Sequence, residues 1–387
     1  MLGTRVTGVA YPLLVLAMTH SPAKAGLVGF AQSLPFMLFY LPAGALVDRW
    51  NRKRVMLVAE AGRALALGSI AVTLASGSTT LAQIVVVAFV EGSFFVFFRL
   101  SESSALPRIV PREQLPTAIA QNQAREQGAE LGGQPLGGLL FGLSRTLPFA
   151  FDAISYAVSF VSLLFIRPAF QEEREPRTTR LTADIKEGVA WLWNQQFLRA
   201  SILLVTCTNF VFSAVYLALI VRAKDLGASP SLIGVMLAFG GVGALLGSIA
   251  APAIQRRIHP KLVVMGSLWL WAVTAPVIAA LPNAVAIGAI WGVTAIAGPV
   301  FNVSLASYRY ALVPDRLLAR VQSAALVVAW GAVPLGQLTA GLLLSSTGAV
   351  KTILSLAGLN AVAALLATWS RSIRNAPRVD ELLATNA

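Results

Sequence analysis

The sequence predicts an all-α membrane protein of twelve transmembrane helices in two pseudo-symmetric six-helix halves, and three observations predict it. Of its 387 residues, 56% are hydrophobic and 12% charged, about half the charge of a soluble domain. Apolar runs of about 20 residues, enough for a helix to cross a hydrocarbon core about 30 Å thick, recur from end to end. Loop residues of the second half also repeat those of the first.

The spans follow in order, each bounded by a short polar or charged connection. Span 1 covers 5–18 and span 2 covers 25–46, parted by a connection holding His20, Ser21, Pro22 and Lys24. Arg49, Arg52, Lys53 and Arg54 close span 2 and introduce span 3 at 55–75. Span 4 at 81–98 ends on Arg99, and Arg108 and Arg112 precede span 5 at 117–143. Beyond Arg145 lies span 6 at 148–166, completing an N-terminal bundle over 1–166. A densely charged linker, 167–198, contains QEEREPRTTR and then TADIKEGVAWLWNQQF. The latter reads as an interfacial amphipathic helix with Ile185, Val189, Leu192 and Trp193 on one side. Spans 7 to 12, at 199–221, 231–251, 262–281, 284–305, 319–344 and 351–369, form a C-terminal bundle over 199–370, followed by a tail at 371–387.

Formal charge is +13, from 30 Lys and Arg against 17 Asp and Glu. On alternate connections the cations divide 22 to 5, and cationic short loops favour the cytoplasm. The excess is therefore a topology signal, with both termini cytoplasmic in a bacterial-type inner membrane, and not a nucleic-acid surface. One cysteine, Cys207, and two separated histidines, His20 and His259, offer neither a disulfide framework nor a Cys/His metal site. No lysine follows a glycine, which excludes the phosphate-cradling loop of a nucleotide-driven pump, and no other cofactor is called for. GGVGALLG at Gly240 lies inside an apolar span and reads as helix packing.

The repeat is specific at loop positions. An offset of 208 pairs Ser21-Pro22 with Ser229-Pro230, Arg49 with Arg257, and Lys53 with Lys261. An offset of 203 pairs Val110-Pro111 with Val313-Pro314 and Gly133-Gln134 with Gly336-Gln337. Repeats of this kind place a substrate site near the membrane midplane and work by alternating access. Subtracting 208 from the start of span 7 near Arg199 puts the start of span 1 about nine residues before Met1. A shortened first helix is the expectation, with Arg5 then a mid-membrane charge. A leader cleaved near Ala23-Lys24-Ala25 is the alternative, which the Ser21-Pro22-Ala23 match disfavours.

GALVDRWNRKR, from Gly44 to Arg54, resembles the cytoplasmic loop signature of the major facilitator superfamily, with Asn51 in place of the usual loop glycine. ALPRIVPREQLPTAIAQNQ, DIKEGVAWLWNQQFLRA and FDAISYAVSF are similar to the branch of enterobactin exporters and macrolide efflux proteins. The resemblance implies that Gly44, Asp48, Arg49, Arg52 and Lys53 form a conformational latch on the cytoplasmic side. Gly133, Pro135, Gly137 and Gly138 of GGQPLGGLLFG resemble the packing element of antiporters, although Gln134 stands where a proline is usual. It also implies a cavity built from spans 1, 4, 7, 10 and 11, with Tyr11, Phe94, Phe98, Tyr216, Trp291, Phe301 and Trp330 as candidate lining. The arginine expected early in span 4 is replaced by Val85, Val86 and Val87.

Ionisable groups inside spans cost about 2.5 to 3.5 kcal/mol each on insertion scales and are default functional candidates. All of them, Arg5, Glu60, Arg63, Glu91, Arg125, Glu126, Glu130 and Asp152, fall in spans 1 to 6. Glu126 and Glu130 are four apart on one helix face, where mutual repulsion favours keeping a proton; alternatively, arginines of neighbouring helices neutralise them. Glu91, Arg125, Glu126, Glu130 and Arg5 are the coupling or substrate charges. Glu60 and Arg63 are spaced to pair within one helix, and Asp152 reads as a helix-start charge or a structural residue of the family it resembles. The expected function is secondary active transport, with a proton and a small amphipathic compound such as a drug, macrolide-like product or siderophore as partners. The protein is expected to be a monomer in the lipid bilayer and not an enzyme, because no nucleophile-base constellation lies in the spans. An importer or uncoupled facilitator on the same scaffold is the alternative.

Overall fold

The computed structural model describes residues 1–166, 170, 181–313 and 315–374, apart from individual side chains such as those of Asp48 and Ile185. The helices run in order as α1 Leu2–Thr19, α2 Pro22–Arg49, α3 Arg52–Ser76, α4 Leu81–Ile109, α5 Leu115–Leu143 and α6 Leu147–Phe165. There follow α7 Leu181–Asn194, α8 Gln196–Asp225, α9 Pro230–Arg257, α10 Pro260–Ala280, α11 Ala284–Leu312, α12 Asp315–Trp369 and the short α13 Arg371–Arg374. Among the described residues, ten helices are long and apolar enough to cross a membrane. Two features raise this to twelve spans. The 55-residue α12 breaks at Gly348, whose φ of 78° leaves the helical region, so that it supplies spans 11 and 12. The 29-residue α5 is long enough, but Arg125, Glu126 and Glu130 in its polar first half keep it below the apolar threshold.

The joints repeat between halves, and the repeat explains why helices start where they do. Ser21 accepts a hydrogen bond from the Lys24 amide at 3.4 Å, and Ser229, 208 residues later, accepts from Leu232 at 3.3 Å. Each serine precedes a proline that begins the helix, a position where no amide hydrogen is needed. Asn51 caps α3 through the Arg54 amide at 3.0 Å, and His259 caps α10 through the Lys261 amide at 3.3 Å. Thr80 and Asn283, 203 apart, cap α4 and α11. Lys53 Nζ donates to the carbonyl of Ile166 at 2.7 Å, just past α6, and its counterpart Lys261 donates to that of Arg374 at 3.1 Å, at the end of α13.

The chain forms two compact units, Met1–Thr178 with Ser229–Val235, and Thr179–Ala228 with Met236–Ala387. In the first, α1 packs on α5 and α6, α2 on α4, and α3 on α4 and α6. Small residues make the α1–α5 seam: a Cβ on Gly137 would strike the Val6 backbone, and one on Gly133 would strike Arg5 and Leu2. In the second unit, Gly336 meets Phe210 and Ser213 of α8 in the position matching Gly133, and Gly243 meets Gly292 where α9 crosses α11. The stripe expected on α7 divides, with the side chain of Ile185 outside the described residues. Leu192 is buried with Leu198, Ile202 and Leu317, and Trp191 packs beside it, whereas Val189 and Trp193 stay exposed. Covering the ends of α8 and α12 outranks the amphipathic stripe.

Candidate functional site

Arg63 on α3 is the centre of a buried polar cluster in the first unit. Its guanidinium lies 3.7 Å from Glu91 of α4 and donates to the Tyr156 hydroxyl of α6 and, at 3.2 Å, to Thr4 of α1. It stacks 3.9 Å from the Tyr156 ring centre and 5.3 Å from that of Phe95. Only 3% and 2% of the two charged side chains is exposed, so loss of either would strand the other in a medium that solvates it poorly. Glu91 also accepts from Tyr156 at 3.3 Å and from Gln32 of α2 at 3.5 Å. Gly92 makes room for this, since a Cβ there would collide with the Gln32 carbonyl.

Two expectations change here. Arg63 does not take the partner three residues away on its own helix. Its aromatic seat faces α4 and α6, so it pairs across to Glu91, while buried Glu60 keeps one carboxylate oxygen, Oε2, without a hydrogen-bond partner. Asp152 is not a helix-start charge either. It lies beyond the first turn of α6, fully buried, and its two oxygens accept from Thr7 of α1 at 2.9 Å and from Ser155 at 3.0 Å.

A second, half-exposed set of charges runs along α1, α4 and α5. Arg5 pairs with Glu130 at 2.6 Å, and Gln134 donates to the same carboxylate at 3.1 Å. Arg99 pairs with Glu126 and, at 3.5 Å, with Glu102, which also binds Arg125 at 2.8 Å. Glu126 and Glu130 thus share a face, as their spacing requires, but each holds an arginine from another helix.

In the loop signature, Arg52 donates to the Ser104 carbonyl of α4 at 2.8 Å, Lys53 binds the end of α6, and Arg49 is exposed. Gly44 meets no neighbour, and the side chain of Asp48 lies outside the described residues. Of the packing glycines, Gly133 and Gly137 receive α1, while Gly138 faces Gly234 in the opening turns of α9; Pro135 lies inside α5.

The aromatic candidates scatter. Tyr11 packs edge-on against Phe149, Phe94 fills the space over Gly62, and Phe98 joins Met56, Ala105 and Leu163. Phe301 is in a core with Trp271, Tyr216 is partly buried on α8, and Trp330 is half exposed. Trp291 alone among them borders the described cavity, with Phe212, Trp271, Thr274, Thr294, Leu356 and Asn360 around it. That cavity, of about 20 Å³, has room for one water molecule.

Sequence reasoning missed Thr4, Thr7, Gln32, Ser155 and Tyr156 as partners. One signal was available: Asp152 and Tyr156 are four apart in FDAISYAVSF and share a helix face with the buried charges.

The model of the family described as transmembrane secretion effector matches residues 1–384. The multidrug efflux pump Tap of Mycolicibacterium fortuitum is 26% identical over 366 residues, covering 92% of this chain and 88% of its own. Macrolide efflux protein A of Enterococcus faecalis is 22% identical, over 66% of this chain and 80% of its own. Among solved structures, a bacterial homologue of the lysosomal transporter Spinster superposes with a TM-score of 0.76 at 14% identity, covering 96% and 94% of the two chains. The nucleoside transporter NupG superposes at 0.71 with 17% identity over 97% of each chain.

Proposed function

The chain belongs to the transmembrane secretion effector family of major facilitator transporters, and from that premise we propose that it exports a small amphipathic compound in exchange for protons, by alternating access. It is a transporter and not an enzyme. The observation that carries the reading is that, among the described residues, buried charged side chains lie in the first unit, where Arg63, Glu91 and Asp152 form a closed cluster among α1, α3, α4 and α6. Ionisable groups inside a membrane are costly, which makes them default candidates for the transport path or its driving ion. The efflux relatives support a drug or macrolide-like cargo. In the same reading the protein is a monomer in the inner membrane with cytoplasmic termini. Glu126, Glu130 and their arginines line the path, and the loop from Gly44 to Lys53 is the latch, held at its base by Arg52 and Lys53.

One observation favours a second reading, an uncoupled facilitator or importer: Glu126 and Glu130 are already neutralised by Arg99 and Arg5. Accumulation of a panel of macrolides and cationic dyes, in cells with and without the protein, separates the two. Coupled export predicts lower accumulation that a protonophore restores. Flux that persists after the proton gradient collapses supports the facilitator.

A further inference from the structure

The buried cluster of the first unit contains three carboxyl groups, Glu60, Glu91 and Asp152, and one guanidinium, Arg63, all at most 2% exposed. Fully ionised, the set would carry three negative charges against one positive in a medium that penalises uncompensated charge heavily. Glu91 has Arg63 beside it. Among the described residues Asp152 has no cation within ion-pair distance, and two hydroxyls donate to it.

Those hydroxyls are placed for either protonation state. Thr7 Oγ1 lies 2.9 Å from Asp152 Oδ2 and 3.2 Å from the Gly3 carbonyl, and a hydroxyl has one hydrogen to give. When that hydrogen goes to Gly3, the 2.9 Å contact is a hydrogen bond only if Asp152 supplies the proton. Ser155 Oγ has the same choice, between the Asp152 carbonyl at 2.9 Å and Oδ1 at 3.0 Å. Rotation of the two hydroxyls therefore satisfies Asp152 as an acid or as a carboxylate with no heavy atom moving. In the surrounding cluster Glu60 Oε2 is buried without a hydrogen-bond partner, and the buried Tyr11 hydroxyl faces Glu91.

The geometry points to Asp152 as a reversible proton-binding site at the α1–α6 seam and, resting on the exchange proposed above, as the group that carries the coupled proton. Its charged and titratable surroundings are the Met1 amino group and Tyr11 on α1, Glu60 and Arg63 on α3, Glu91 on α4 and Tyr156 on α6. Ionisation of Asp152 adds a negative charge against α1, which at Gly3 approaches the carboxyl too closely for any Cβ. Because α1 also holds α5 through Arg5 and Gly137, the charge state of Asp152 bears on the seam that carries the half-exposed ladder.

Infrared difference spectroscopy of the purified full-length protein, titrated with acid and base alone, reads the site without any substrate. The expected result is a protonated-carboxyl band that disappears reversibly as pH rises, is absent in Asp152→Asn, returns at a shifted frequency in Asp152→Glu and moves in Thr7→Val. Glu60→Gln retains it. A band that Glu60→Gln removes, that survives at all pH values, or that sodium ions displace at constant pH would overturn the assignment. Should the band behave as expected while flux in reconstituted vesicles ignores a pH gradient, the exchange reading fails and the proton site stands. With both in place, Asp152→Asn lowers gradient-driven flux about tenfold, the scale of coupling between two linked sites. Undiminished gradient-driven flux in that variant refutes the coupling role.

Discussion

Where the first unit sets Arg63, Glu91 and Asp152 between its helices, the second sets Asn360, Thr274 and an edge-to-face run of Phe212, Trp271 and Phe301. Asn360 donates to the Leu268 carbonyl at 3.1 Å, leaving its buried Oδ1 without a hydrogen-bond partner, and Trp271 donates to the Thr294 carbonyl at 2.9 Å, so the donors there are neutral and bind backbone. The two units nonetheless share their joints, as the pairs Ser21 and Ser229, Asn51 and His259, and Lys53 and Lys261 demonstrate. Duplicated architecture thus leaves the interior free to differ: among the described residues one unit buries charged side chains, and the other buries neutral polar and aromatic ones.

That contrast can be broken most forcefully at Arg63. Arg63→Ala leaves Glu91 unpaired and is expected to destabilise the detergent-solubilised protein by about 3–5 kcal/mol in thermal unfolding. The double change Arg63→Met with Glu91→Leu, which makes the first interior resemble the second, recovers most of that loss while abolishing transport. Asn360→Ala, the nearest equivalent in the second unit, removes a neutral hydrogen bond and costs about 1–2 kcal/mol in the same assay. The shared joints sharpen the comparison from the other side. Lys53→Met and Lys261→Met each lose carbonyl contacts at the end of a helix and are expected to cost about 1 kcal/mol apiece, alike in both units. Smallest of all is Arg5→Gln, whose partly exposed pair with Glu130 contributes at most about 1 kcal/mol. Its effect on flux should exceed its effect on stability.

Much of the fold was legible because a membrane imposes simple arithmetic on sequence. Apolar length placed the spans, and the 208-residue offset predicted that Lys53 and Lys261 do the same job. Confinement of interior charge to the first half was also legible. Partnerships were not, because spacing reports only neighbours on one helix. Arg63 was matched to Glu60, three residues away, when its partner Glu91 comes from another helix, and the bond between Thr7 and Asp152 closes over 145 residues. The shared face of Glu126 and Glu130 could be read, but Arg99 and Arg5 could not be matched to them. For α7, periodicity puts Val189, Leu192 and Trp193 on one side, and tertiary packing buries Leu192 while Val189 and Trp193 stay exposed.

The central claim is that the buried charges of the first unit couple export to protons. Proton movement in a lightly buffered suspension of reconstituted vesicles, recorded as a transported macrolide or dye is added, tests it most directly. The expected result is a proton flux opposite to that of the compound, which Asp152→Asn lowers about tenfold and Asn360→Ala preserves. Compound movement with no accompanying proton flux in the wild-type protein would contradict it.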